Sequence, residues 1–314
     1  MDLKHSYTFS FKKAHLARGM LFISVVFLLG WLFQYFFEKK IILTSPSSSA
    51  YKINRILNIT DENEIPIFGA SRAEGVFIPS ILGKDFFNYG IEGTRDDVLL
   101  FFLKQECKKI KKTPNILLTF EIEGYSNSLG DLNSYILNIN NPDVKSLIGN
   151  NYRWYYSIPF IKYFGKYESY FKDYLNERMM LTKYKDRGAN IEKDELTKQT
   201  FNDLVKEREN ITSEFKNDSL LETKFIQLFR QYTDKKFIII IPPYHPSYFA
   251  KFKNYDVALS FLSNLSKLSN ISVLNYSHCF YPDSCYLNTS HLNYKGACIF
   301  NRMIKDTLQK ILAQ

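Results

Sequence analysis

The run Lys236-Phe-Ile-Ile-Ile-Ile241, stopped by Pro242-Pro243, is the strongest constraint on the fold of this 314-residue chain. An unbroken apolar run ended by residues that cannot donate to a ladder reads as a strand. Four further runs read the same way: Ile65–Phe68, Asp85-Phe-Phe-Asn-Tyr89, Asn115–Phe120 after Pro114, and Ile271-Ser-Val-Leu274. Helix-length segments separate them, among them Asp96–Lys111 and Ala258–Leu268, and Tyr294–Leu312 closes the chain as a helix. Strands alternating with helices imply parallel βαβ units covered on both faces. The expected fold is therefore α/β: a three-layer α/β/α domain of flavodoxin-like type with a mostly parallel sheet. Residues from about 125 to 217 break the pattern with Asn-, Tyr- and Lys-rich sequence, including a charged helical tract from Glu192 to Glu209, and read as a largely helical insertion after the third strand. Its Trp154, Tyr155 and Tyr156 could stack on sugar rings or pack the insertion down.

Gly19–Phe37 is apolar apart from Gln34 and, as a helix, reaches about 28 Å, enough to span a bilayer. Lys4, Lys12, Lys13 and Arg18 precede it and Lys39 and Lys40 follow, which favours a cytoplasmic amino terminus and an external body. A cleaved signal peptide is the rival reading, but the run is long for one and no small-residue site follows it directly. The expected order is a cytoplasmic tail (1–18), a transmembrane signal anchor (19–37), a stalk (38–60) and the α/β domain (61–314). The net charge of +9 falls partly around the anchor and is otherwise interleaved with acidic residues, which argues against nucleic acid as a partner. Cys279 and Cys285 flank a short loop and outside the cytoplasm are either bridged or free. No Cys/His spacing resembles a metal site, and no cofactor is implied.

Two segments carry chemistry. Ile65-Pro-Ile-Phe-Gly-Ala-Ser-Arg-Ala-Glu74 reads as strand, tight turn, helix, which places Ser71 at the carboxyl end of a strand, where open α/β sheets bind ligands. Free N–H groups at the helix start would favour negative charge developing there. The plainer alternative makes Ser71 a helix N-cap. Asn288-Thr-Ser-His-Leu-Asn-Tyr-Lys-Gly-Ala297 opens the last helix. Asn288 can accept from one ring nitrogen of His291, leaving the other to take a proton from Ser71.

Together these segments resemble the SGNH/GDSL hydrolase superfamily. Gly69-Ala-Ser71 is similar to its Gly-Asp-Ser block, and Asn88-Tyr-Gly-Ile-Glu-Gly-Thr94 to its second block. Asn288-Thr-Ser-His291 is similar to the final Asp-x-x-His block, with Leu-Asn-x-x-Gly-Ala as its continuation. The membrane-anchored extracytoplasmic branch, which includes proteins of alginate acetylation and teichoic-acid D-alanylation, often carries Gly-Ser-Ser-Arg and a segment like Pro242-Pro-Tyr-His-Pro246. The resemblance implies Ser71, His291 and Asn288 as catalytic residues and the N–H groups of Ser71 and Gly93 as an oxyanion hole. It places Arg72, Asn88, Glu121, Glu123 and His245 on the substrate side. It further implies a cell-envelope glycan substrate, action as an O-acyltransferase or esterase, and a membrane-bound O-acyltransferase as partner. Two departures stand out. Phe120-Glu-Ile-Glu-Gly124 replaces the third block, Gly-x-Asn-Asp, whose second oxyanion donor is typically worth about 2.7 to 4 kcal/mol. Asn288 replaces an aspartate, with Asp283 a nearby alternative acid. A non-catalytic glycan-binding or scaffolding protein of envelope assembly is the competing expectation. A type II glycosyltransferase would fit the anchor but lacks an Asp-x-Asp-like site.

Overall fold

The structure, a computed structural model, describes residues 4–122, 132–159, 161–179, 183–193, 197–209, 213–215 and 219–313. The chain divides into two compact units, Met1–Ser45 with Tyr135–Arg178, and Pro46–Ser134 with Met179–Gln314.

The second unit is the expected α/β domain. Its sheet holds β1 (Ile65–Phe68), β2 (Phe86–Asn88), β3 (Asn115–Thr119), β4 (Lys236–Ile241) and β5 (Ile271–Asn275) in the order β2-β1-β3-β4-β5. Every neighbouring pair is parallel. Right-handed crossovers in this order put the helix after β1 and the last helix, Tyr294–Leu312, on one face. Helices Asp96–Cys107 and Ser219–Gln231 then cover the other face. The alternation of β4 fits both layers. Ile238 and Ile240 pack with Phe300, Ile304 and Leu308 of the last helix. Phe237 meets Phe229 of the opposite layer, with ring centroids 4.6 Å apart. A run of isoleucines is required because neither face of this strand reaches water.

Two expectations need correction and one open choice is decided. The stretch assigned to a stalk contains a helix, Ser49–Asn58, capped by Ser48, with Ile53 and Ile56 buried. Its Arg55 donates twice to Glu64 (2.6 and 3.0 Å), and Glu64 also accepts from the buried Tyr89 hydroxyl at 2.7 Å. Burial first, then the Glu64 carboxylate, pushes the Tyr89 hydroxyl well above its usual value, so it stays a donor. Secondly, the insertion is not helical throughout. Lys183–Asp186 and Ala189–Glu192 pair as an antiparallel hairpin, and the charged helix begins only at Lys198. The first part of the insertion groups with the N-terminal helix, whereas the hairpin belongs to the α/β unit. Thirdly, the open choice at Cys279 and Cys285 falls to thiols, since all four cysteines are free.

In the first unit, one 37-residue helix, Lys4–Lys40, contains the apolar run. It is long and apolar enough to cross a membrane, with a mean hydropathy of 2.1 over its most apolar window, and its length and composition suit an anchor or a signal sequence. Trp154 is exposed and Tyr156 buried, so the aromatic cluster is divided between surface and interior.

Candidate active site

The order 2-1-3-4-5 has its switch point between β1 and β3, where the connections leave in opposite directions and a crevice opens at the strand ends. Ser71 begins a short helix, Ser71–Val76, directly beyond β1 at that point. His291 lies 220 residues further on, in the turn before the last helix, and its Nε2 is 2.9 Å from Ser71 Oγ.

The proton positions follow from the turn around Asn288. Asn288 Oδ1 accepts the backbone N–H groups of Ser290 and His291, each at 2.9 Å. Two N–H donors converging on this atom identify it as the amide oxygen, so His291 Nδ1, 3.0 Å away, must carry a proton and donate to it. Nε2 is therefore the bare nitrogen, aimed at the Ser71 hydroxyl. Asn288 fixes the tautomer as an aspartate would, but it brings no negative charge to stabilise an imidazolium.

The motif around the histidine has a mechanical basis. Asn293 caps the last helix by accepting from Gly296 N at 3.1 Å, while its Nδ2 donates to Ser284 O at 2.8 Å. A Cβ on Gly296 would stand 2.2 Å from Cys285 O, so only glycine lets that loop pass against the helix. Asn301, fully buried, donates to Val76 O (2.6 Å) and accepts from Ile78 N (2.9 Å). It fastens the last helix, and with it His291, to the end of the serine helix.

Several residues expected on the substrate side serve the frame instead. Arg72 is only 1 % exposed. Its Nη2 donates to Pro242 O and Pro243 O at 2.8 and 2.7 Å, and its guanidinium lies 3.4 Å from the centre of the Tyr244 ring. It holds the loop after β4 and is turned away from solvent. Asn88 is fully buried and fully used, donating to Ala73 O and Phe77 O and accepting from Gly90 N. His245 caps the short helix Pro246–Phe249. Its Nδ1 meets Ser247, its Nε2 lies 3.2 Å from Asp283, and its backbone N–H donates to Thr289 O. It supports the His291 turn from behind, and Asp283 is committed to it rather than to His291. Glu121 is buried just past β3, and the N–H of the next residue, Ile122, is already held by the Tyr244 hydroxyl at 3.3 Å. Glu123 lies outside the described residues. Gly93 occupies the turn Ile91–Thr94 at φ +70°.

The loop bearing Gly93 is tied to the serine helix by residues that the sequence reading passed over. Glu74 accepts from Glu92 N at 3.1 Å and from Lys52 Nζ at 2.9 Å, and Lys52, wholly buried, also donates to Gly90 O. At Gly90 a Cβ would fall 2.3 Å from Glu74 N, so the loop presses directly on the helix backbone. The available signal was the spacing of Ala50, Ile53 and Ile56 around Lys52, an apolar helix face carrying a lysine. Among the described residues no group of side chains could hold a metal.

The fold and site together define an α/β domain with a serine hydroxyl 2.9 Å from a histidine ring nitrogen at the switch point of its sheet. No protein-family model matches the chain, and no curated protein matches it. Among solved structures, one from Streptococcus pneumonia, provisionally described as a platelet activating factor, is similar over 93 % of this chain and 99 % of that one, at 12 % identity and a TM-score of 0.40. A likeness so distant carries no functional argument.

Proposed function

We propose that the protein is a membrane-anchored, extracytoplasmic serine O-acyltransferase or esterase acting on a cell-envelope glycan. The observation behind this reading is the 2.9 Å approach of Ser71 Oγ to Nε2 of His291. In the reaction His291 takes the Ser71 proton as Oγ attacks an acyl carbonyl, and the N–H groups of Ser71 and Gly93 receive the oxyanion. The leaving group departs with the proton from Nε2, and the acyl group on Ser71 passes to a sugar hydroxyl or to water. The glycan, the extracytoplasmic placement and a membrane-bound O-acyltransferase that hands over the acyl group follow from the SGNH resemblance and the apolar N-terminal helix. The neutral Asn288 favours a second reading, a non-catalytic glycan-binding or scaffolding protein on the same fold. Labelling of the full chain with a fluorophosphonate probe separates the two. The first expects labelling that Ser71→Ala abolishes; equal labelling of both proteins removes the nucleophile. Mass analysis of surface glycans from cells carrying Ser71→Ala then identifies the acyl group and its acceptor.

A further inference from the structure

We propose that helix Tyr167–Met179 lies in the headgroup boundary of the bilayer at the carboxyl end of the N-terminal helix, with Phe171 and Leu175 against lipid. The inference rests on reading that helix as a retained anchor. Both segments belong to one compact unit. Tyr167 packs on Phe33 and Phe37, with ring centroids 5.7 and 4.9 Å apart, and Tyr163 and Tyr170 also pack on Phe37 at 5.5 and 6.0 Å. Glu38 locks the arrangement, its Oε1 accepting from Lys162 Nζ (3.0 Å) and the Tyr163 hydroxyl (2.9 Å). Burial, then Glu38, pushes the Tyr163 hydroxyl up, so it remains a donor.

These contacts set a depth. Phe33 lies six residues before Lys39, the first cation after the apolar run, or about 9 Å along the helix. Tyr167 touches both Phe33 and Phe37, so it sits at the level of the last apolar turns. Phe171 is four residues on, at most about 6 Å further from the bilayer centre. Phe171 and Leu175 share one stripe of this helix, beside the packed one, and are 49 % and 44 % exposed; Phe164, just before it, is 74 % exposed. Phenylalanine and leucine held at this level meet the boundary between headgroups and acyl chains, where such side chains are stabilised.

The chain has two tryptophans, so fluorescence can report depth. In full-length protein carrying Trp31→Phe and Trp154→Phe, single tryptophans are placed by Phe171→Trp, Leu175→Trp, Lys172→Trp and Phe27→Trp, and each protein is reconstituted in phosphatidylcholine vesicles. Lipid brominated near the headgroup should quench positions 171 and 175, while position 172, on the far side of the helix from the anchor, emits as in water. Quenching at position 27 with none at 171 or 175 overturns the proposal and leaves the anchor standing. No quenching at 27 by lipid brominated near the acyl-chain ends removes the anchor and the proposal together. Blue-shifted emission at 171 and 175 without quenching means that protein rather than lipid covers the stripe, and overturns it as well.

Discussion

Replacing Asn288 by aspartate tests the deduced tautomer and the base role of His291 in one change. The amide oxygen receives Nδ1–H at 3.0 Å in a partly exposed turn, together with two backbone N–H groups. A neutral hydrogen bond contributes about 1 kcal/mol, and one to a charged group about 1.5 to 3 kcal/mol. The gain lies between about 0.5 and 2 kcal/mol, so a carboxylate at 288 should stabilise the imidazolium by about 1.4 kcal/mol more, which is tenfold in rate. The same stabilisation moves the acid limb of the pH–rate profile up by about one pH unit, because the histidine holds its proton to higher pH. Asn288→Asp should therefore react with a fluorophosphonate about tenfold faster than wild type near pH 9. Well below the limb the two effects cancel and the rates should meet. The assay is the second-order rate of probe incorporation across pH 5–9, with circular dichroism to verify the fold. An Asn288→Asp protein that is folded yet no faster at pH 9, or whose acid limb does not move, would refute the assignment of Nε2 as base.

Lys52→Met leaves the partly buried Glu74 carboxylate without its cation and should cost up to about 3 kcal/mol by chemical denaturation, the low end for a broken buried pair; adding Glu74→Gln should restore part of the loss. Asn301→Leu strands the Ile78 N–H and should destabilise the domain by about 1 to 3 kcal/mol while slowing probe incorporation, since it separates the two helices that carry the site. Gly296→Ala forces a methyl group to within 2.2 Å of Cys285 O and should lower both the melting temperature and the labelling rate. Burial pushes the Glu106 carboxyl up, but Lys109 and Lys111, each 2.7 Å away, outweigh it and hold it below its usual 4.5. Its folded value lies below its unfolded one, so its stabilising contribution is present above about pH 4.5 and fades as pH falls through the folded value. Glu106→Gln should be less stable than wild type at pH 7, with the gap narrowing in urea titrations below pH 4.5.

The sheet was legible because buried parallel strands need continuous apolar runs; Ile65–Phe68, Lys236–Ile241 and the last helix coincide with their expected bounds. The hairpin at 183–192 was not, because Lys-Tyr-Lys-Asp is half-exposed throughout and carries no period-2 apolar signal. That Ser71, His291 and Asn288 come together could be read because each lies in a short segment with turn signals. Arg72, Asn88 and His245 were misread for a common reason: residue type does not reveal which way a side chain turns. Each turns inward to satisfy backbone carbonyls or a neighbouring loop. Lys52 and Glu74 were missed because the apolar helix face around Lys52 was taken for part of a linker, and nothing in the sequence pairs its lysine with Glu74.

The separation of 220 residues between the two reacting side chains has a consequence for the timing of synthesis. The hydroxyl is translated 220 residues before the imidazole, and Asn301, which clamps their two helices together, follows the histidine. A ribosome-bound chain still lacking its final helix thus holds a serine with no base beside it. On the proposed mechanism, Ser71 gains its base only once the helix that follows His291 has docked through Asn301.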